Sequence, residues 1–149
     1  MLHATLKTIH LLAMFVWLGG MFFTLVCLRP AVGVIEPPPL RLRLMNAVLQ
    51  RFFVAVGWAA GLMLASGALM MLDSVRATPA VMAMASLGIV MIGVFVFVRI
   101  VPFKRLQAAL AANDGAGGGA ALNAIRRLVL LNLAIGAAIV LITQFLPLV

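Results

Sequence analysis

Four stretches of the chain contain no Asp, Glu, Lys or Arg: residues 8–28, 52–72, 77–98 and 128–149, with lengths of 21, 21, 22 and 22. A helix needs about 20 apolar residues to cross the hydrocarbon core of a bilayer. The hydrophobic runs are continuous rather than alternating, which argues against transmembrane strands. Four transmembrane helices are expected, over about 5–28, 50–72, 78–101 and 125–147. This pattern predicts an all-α, integral-membrane, up-down four-helix bundle forming a single domain over residues 1–149. The first span is too long for the apolar core of a cleaved signal peptide, and a second span follows it instead of a polar domain. Composition agrees with a membrane protein: 66% of residues are hydrophobic and 9% are charged. A soluble domain is roughly half apolar and about a quarter charged, and a disordered chain has low hydrophobicity.

The segments between the spans carry structural signals of their own. Pro37-Pro38-Pro39 can break the chain and open a new helix, since proline is tolerated in a first turn. Residues 40–51 then read as helix running into the second span. Residues 103–112 extend the third span, with Pro102 as a kink point. The run Asn113 to Gly119 is a strong turn signal. The short loop around Asp73–Pro79 makes spans two and three an expected antiparallel pair. Gly57-x-x-x-Gly61 is a small-residue motif at which helix backbones can approach closely. Gly19, Gly20, Gly88, Gly93 and Gly136 are further thin spots for packing.

The charges set an orientation. Arg29, Arg41, Arg43, Arg51, Arg99, Lys104, Arg105, Arg126 and Arg127 fall on one face of the predicted bundle, and only Lys7 and Arg76 fall on the other. The positive-inside rule places the arginine-rich face in the cytoplasm and both termini in the periplasm. The net charge of +8 is thereby explained by topology. Nucleic-acid binding is the weaker explanation, because these arginines abut span ends and have no aromatic residues interleaved.

The first span holds the candidate chemistry. His3, Lys7, His10, Met14, Trp17, Met21 and Thr24 recur at steps of four and three, which puts them on one helical stripe. A polar stripe inside a membrane is expected to face the bundle interior or a water-filled cavity, and ionisable residues there are functional candidates. His10 reads either as a ligand or as an interfacial histidine hydrogen-bonded to a neighbouring backbone. His3 lies closer to the terminus and to solvent. Lys7 can snorkel to the surface or pair with Asp73. The ten methionines include Met14, Met70, Met71, Met82 and Met84, all expected in the same outer half as His10. Met63-Ser66-Gly67-Met70 and Met84-Gly88-Met91 form stripes at helical spacing. Thioether and imidazole groups suit soft copper(I), although methionine is also a good apolar filler. The metal set expected on this reading is His10, Met14, Met82, Met84 and His3. The three acids all lie outside the spans, which disfavours sites for hard cations. The single cysteine, Cys27, cannot form an internal disulfide. No nucleophilic triad, carboxylate pair or phosphate loop is present, so catalysis has little support.

Several of these residues carry a resemblance. The run Leu6-Lys7-x-x-His10, followed by Trp17-Leu18-Gly19-Gly20-Met21-x-Phe23 and Leu28-Arg29-Pro30, resembles the CopD-like family of bacterial inner-membrane proteins. The likeness continues in Arg51-Phe52-Phe53, in Pro102 with Lys104-Arg105, in Ile125-Arg126-Arg127-Leu128 and in Asn132. It implies a multi-pass inner-membrane protein that binds or passes copper, with the lipid bilayer and a copper ion as partners. A homodimer is a further expectation. The Lys-x-x-His and Trp-x-Gly pattern has a weaker likeness to HemJ-type membrane proteins. That likeness implies haem b with His10 as axial ligand and Lys7 and Trp17 at the cofactor, Lys7 or Arg76 meeting the propionates. The two implications separate in a UV–visible spectrum of detergent-purified protein before and after dithionite. Haem gives a Soret band that is lost in a His10→Ala variant, whereas a copper(I) protein is featureless above the tryptophan absorbance.

Overall fold

The structure, a computed structural model, describes residues 1–73 and 78–145. Helix α1 covers Leu2–Phe23 and continues through a π-helical stretch, Thr24–Leu28, into the short α2, Arg29–Ala31, and a 3-10 turn, Val32–Val34. Helix α3 covers Pro38–Asp73, α4 Pro79–Ile100, α5 Pro102–Ala111 and α6 Gly115–Phe145. The described residues contain no strand, and four helical segments are long and apolar enough to cross a membrane. The chain is thus the expected all-α four-helix bundle. The expected loop around Asp73–Pro79 with Arg76, the side chain of Asp73 and its pairing with Lys7, and the last residues of span four lie outside the described residues.

Local chemistry sets the helix boundaries. Proline within a helix lacks an N–H and crowds the carbonyl four residues before it. Pro30 follows directly on the π-helical stretch, whose wider turn relieves that crowding. The triple proline ends one helix and opens the next, with Pro38 at the first position of α3. Pro102 divides α4 from α5 at Val101, as its position in the sequence predicts. The α5–α6 corner uses two adjacent side chains. Asn113 takes a left-handed conformation with φ 53°. Its N–H donates to the Leu110 carbonyl at 3.3 Å, and that of Asp114 donates to Ala109 at 2.8 Å, which closes α5 in a Schellman motif. Asp114 then caps α6, its Oδ1 accepting from the Gly117 N–H at 2.9 Å.

The main pairings are α1 with α3 and α4 with α6, while α5 folds back on the first turns of α6. Spans two and three, expected as an antiparallel pair because their connection is short, touch only sparsely. The close approaches at glycine join other helix pairs. At Gly67 a Cβ would make an ordinary 3.4 Å contact with the His10 ring, whereas one on Gly20 would stand 2.7 Å from the Phe52 ring, so this end of the α1–α3 seam needs glycine for close approach. Gly136 of α6 accepts Leu18 in the same way, and Gly118 accepts Leu42. Gly57 and Gly61 do not act in packing within the chain: a Cβ at either meets nothing within 4 Å. The same is true of Gly19, Gly88 and Gly93. At those positions no other helix among the described residues approaches the glycine.

Aromatic rings fill the centre. Phe53 is surrounded by Phe95 and Phe103 with centroids at 6.0 and 4.9 Å, and Trp17 meets Phe95 edge-on at 6.0 Å. The Arg99 guanidinium lies 5.0 Å from the Phe103 centroid and 5.7 Å from that of Phe53, sealing this cluster with cation–π contacts. Leu, Val and Phe side chains elsewhere are exposed around the outside, as a lipid-facing surface requires. The packing predicts that Gly136→Leu, which drives a side chain into Leu18, destabilises the bundle by about 1–3 kcal/mol. Gly57→Leu, pointing outward, leaves the melting temperature in detergent nearly unchanged.

Candidate functional site

The polar stripe of α1 faces inward along most of its length. Trp17, Met21 and Thr24 are buried, His10 and Met14 are half-buried, and His3 and Lys7 are exposed. Burial thus decreases from the middle of the helix to its start. Thr24 returns its hydroxyl to the Gly20 carbonyl at 2.8 Å, which satisfies it without a partner helix. Asn132 of α6 reaches the stripe, donating from Nδ2 to the Met21 sulfur at 3.8 Å.

His10 meets α3 at Ser66 and Gly67. Its Nδ1 is 3.0 Å from the Ser66 Oγ, and its ring lies against Gly67. Ser66 is only 2% exposed. Its hydroxyl is 2.6 Å from the Leu62 carbonyl and 3.3 Å from that of Met63. The hydroxyl has one proton, and the short contact to Leu62 claims it. An Oγ lone pair is then left to accept from Nδ1 in the tautomer protonated there, and His10 also bonds the Met63 backbone. A neutral imidazole with its proton on Nδ1 carries a free lone pair on Nε2. An imidazole fixed by a hydrogen bond on one nitrogen and unprotonated on the other is the usual form of a metal-binding histidine.

The other predicted residues distribute unevenly around this point. Met14 follows His10 by one turn on α1. On α3, Met63 and Met70 flank Ser66 and Gly67 on the same stripe, and both are half-buried. Met84 of α4 is half-buried, but Met82 is 55% exposed. Helix α4 packs mainly on α6, and the described contacts of His10 are with α3 rather than with Met82 or Met84. Among the described residues no cluster of three or more His, Cys, Asp or Glu side chains is suited to hold a metal ion. Ser66 is the residue that sequence reasoning undervalued. Its signal was present in the Met63-Ser66-Gly67-Met70 stripe, where a hydroxyl beside a glycine marks a place for a ring to dock.

Comparison with known proteins places this arrangement. No curated protein and no solved structure matches the chain. A family model described as Copper resistance protein D matches residues 46–146. The matched segment takes in most of α3 and all of α4, α5 and α6, including Ser66, Gly67, Met82 and Met84, and stops short of α1 with His10. The match covers more than half of the 149 residues and agrees with the first of the two resemblances. With four apolar helices and this match, the chain is a multi-pass membrane protein that belongs to the CopD (copper resistance protein D) family.

Proposed function

We propose that this protein binds copper(I) within the bundle as part of copper handling at the bacterial inner membrane. His10 supplies the nitrogen ligand through Nε2, and methionine thioethers supply the rest. Imidazole and thioether are a soft donor set that favours copper(I) over hard divalent cations. Family membership supports a role related to copper. The single observation that carries the reading is the hydrogen bond between His10 Nδ1 and the buried Ser66 hydroxyl, which holds the ring as a neutral ligand.

Met14 and Met63 stand nearest in sequence to the two partners of that bond, and Met70 and Met84 are further half-buried donors. His3 and Met82, both exposed, suit capture of the ion at the surface before it reaches His10. The positive-inside rule orients the arginine-rich end toward the cytoplasm, so copper approaches His10 from the periplasmic side. Lys7, exposed on the same stripe, lies at that entrance. The bundle supplies a dry environment in which few competing oxygen ligands are available.

Copper(I) titration of detergent-purified protein against a chromogenic chelator tests this reading. Wild type is expected to retain one copper(I) per chain, and His10→Ala to lose it. Ser66→Ala keeps all ligands but frees the ring, so its affinity is expected to fall about 10- to 100-fold. Unchanged copper binding in a folded His10→Ala variant would overturn the proposal.

A further inference from the structure

At the opposite end of the bundle from His10, three arginines from three elements line one cavity of about 590 Å3: Arg29 of α2, Arg41 of α3 and Arg126 of α6. Arg29 is held toward α6 by a 2.8 Å hydrogen bond from its Nη2 to the Asn123 Oδ1. That bond leaves its charge unneutralised, and Arg29 and Arg126 are close enough to repel each other. Arg41 has partial compensation. Its Nη2 lies 3.8 Å from the Glu36 carboxylate, and its Nε donates to the Ile35 carbonyl. None of the residues lining the cavity is acidic. Two guanidiniums lining one cavity with no acidic residue among its walls leave room for an anion as counter-ion.

The remainder of the cavity is hydrocarbon. Met45, Leu49 and Ile125 are buried in its floor, at 8%, 1% and 3% exposure. The rim is therefore cationic and the floor apolar. Inorganic phosphate or a soluble metabolite would use the rim and leave the half-buried apolar wall of Leu25, Leu42, Phe52 and Leu122 uncovered. A ligand that satisfies both has an anionic head and an aliphatic tail. The position at the arginine-rich ends of the spans is the depth at which phospholipid headgroups lie, and basic pockets between helices at that depth take acidic lipid headgroups. Guanidinium binds phosphate oxygens in a bidentate geometry that ammonium cannot reproduce. We propose that this cavity is a binding site for an anionic phospholipid, with Arg29 and Arg126 holding the phosphate and an acyl chain lying over Met45, Leu49 and Ile125. The lipid would tie the loop after α2 and the start of α3 to α6, three elements that otherwise meet at this end through few side-chain bonds.

Native mass spectrometry of the full chain in nonionic detergent, with phosphatidylglycerol and phosphatidylcholine added in equal amounts, tests this site. One phosphatidylglycerol is expected to be retained per chain, in several-fold preference to phosphatidylcholine. Arg126→Gln and Arg29→Gln are each expected to lower that retention about tenfold, the loss of one charge-assisted contact. The double variant Lys104→Gln/Arg105→Gln removes two exposed charges outside the cavity and is expected to retain the lipid. Equal retention of the two lipids by wild type would overturn the proposal, whether or not the arginine variants fold. So would an equal loss in the Lys104→Gln/Arg105→Gln control, which would mark a general charge effect. Displacement of phosphatidylglycerol by millimolar inorganic phosphate would also overturn it, by showing an anion site that does not use the apolar floor.

Discussion

Helix α1 approaches α3 closely at two glycines, and most of what the bundle can do depends on that approach. In hydrocarbon there is no water to satisfy a polar side chain, so such a group must find a partner within the protein, on its own helix or a neighbouring one. Gly67 leaves room for an imidazole ring, and Ser66 beside it supplies the hydrogen bond. Gly20 does the same for packing at the far end of the seam, where the Phe52 ring lies over it. A Cβ at Gly20 would force the Phe52 ring to shift, while one at Gly67 would rest in ordinary contact with the His10 ring. The serine can be the acceptor only because its own proton returns to the Leu62 carbonyl of the preceding turn. A local backbone contact in α3 thus bears on the hydrogen bonding of a side chain on α1.

The molecule separates its polar groups by depth. His10 and Ser66 lie toward one end and the arginine-lined cavity lies toward the other. Between them stands an aromatic centre built on Trp17, Phe53, Phe95 and Phe103. The exception is Asn132, buried in that centre with its amide against the Met21 sulfur and its Oδ1 without a partner in the described structure. A single interhelical contact of this kind in a membrane contributes modestly, about 1 kcal/mol. Its greater effect is on register, because sliding α6 past α1 would leave the whole amide unsatisfied.

Prolines and glycines govern the shape around these features. Pro30 and Pro38 bracket the turn that brings Arg29 and Arg41 to one cavity. Asn113 and Asp114 fold α5 against α6 in two residues, which brings the start of α6 to the same place. The arginine cluster is therefore a product of three helix terminations. Each can be explained locally, but their meeting point follows from none of them alone.

The sequence by itself determined four spans, their approximate limits, the break at the triple proline, the restart at Pro102 and a turn opening at Asn113, although α6 starts at Gly115, inside the run 113–119 expected as turn. Hydrophobic length and backbone chemistry decide those features residue by residue, without reference to neighbours. It also determined that the stripe from His10 to Thr24 lies on one side of α1, since helical spacing alone fixes a face. Only the tertiary structure decided which helix that face meets. The short connection favoured spans two and three as the close pair, but in the structure α1 packs on α3 and α4 on α6, with glycines admitting Phe52 against α1 and Leu18 and Leu42 against α6. Gly57-x-x-x-Gly61 was as legible as Gly20 and Gly67, yet it faces outward, because a motif states that close approach is permitted and not that it occurs. The partnership of His10 with Ser66 and the meeting of Arg29 with Arg126 are likewise tertiary facts: they join residues 56 and 97 positions apart, and no local rule relates such distant side chains.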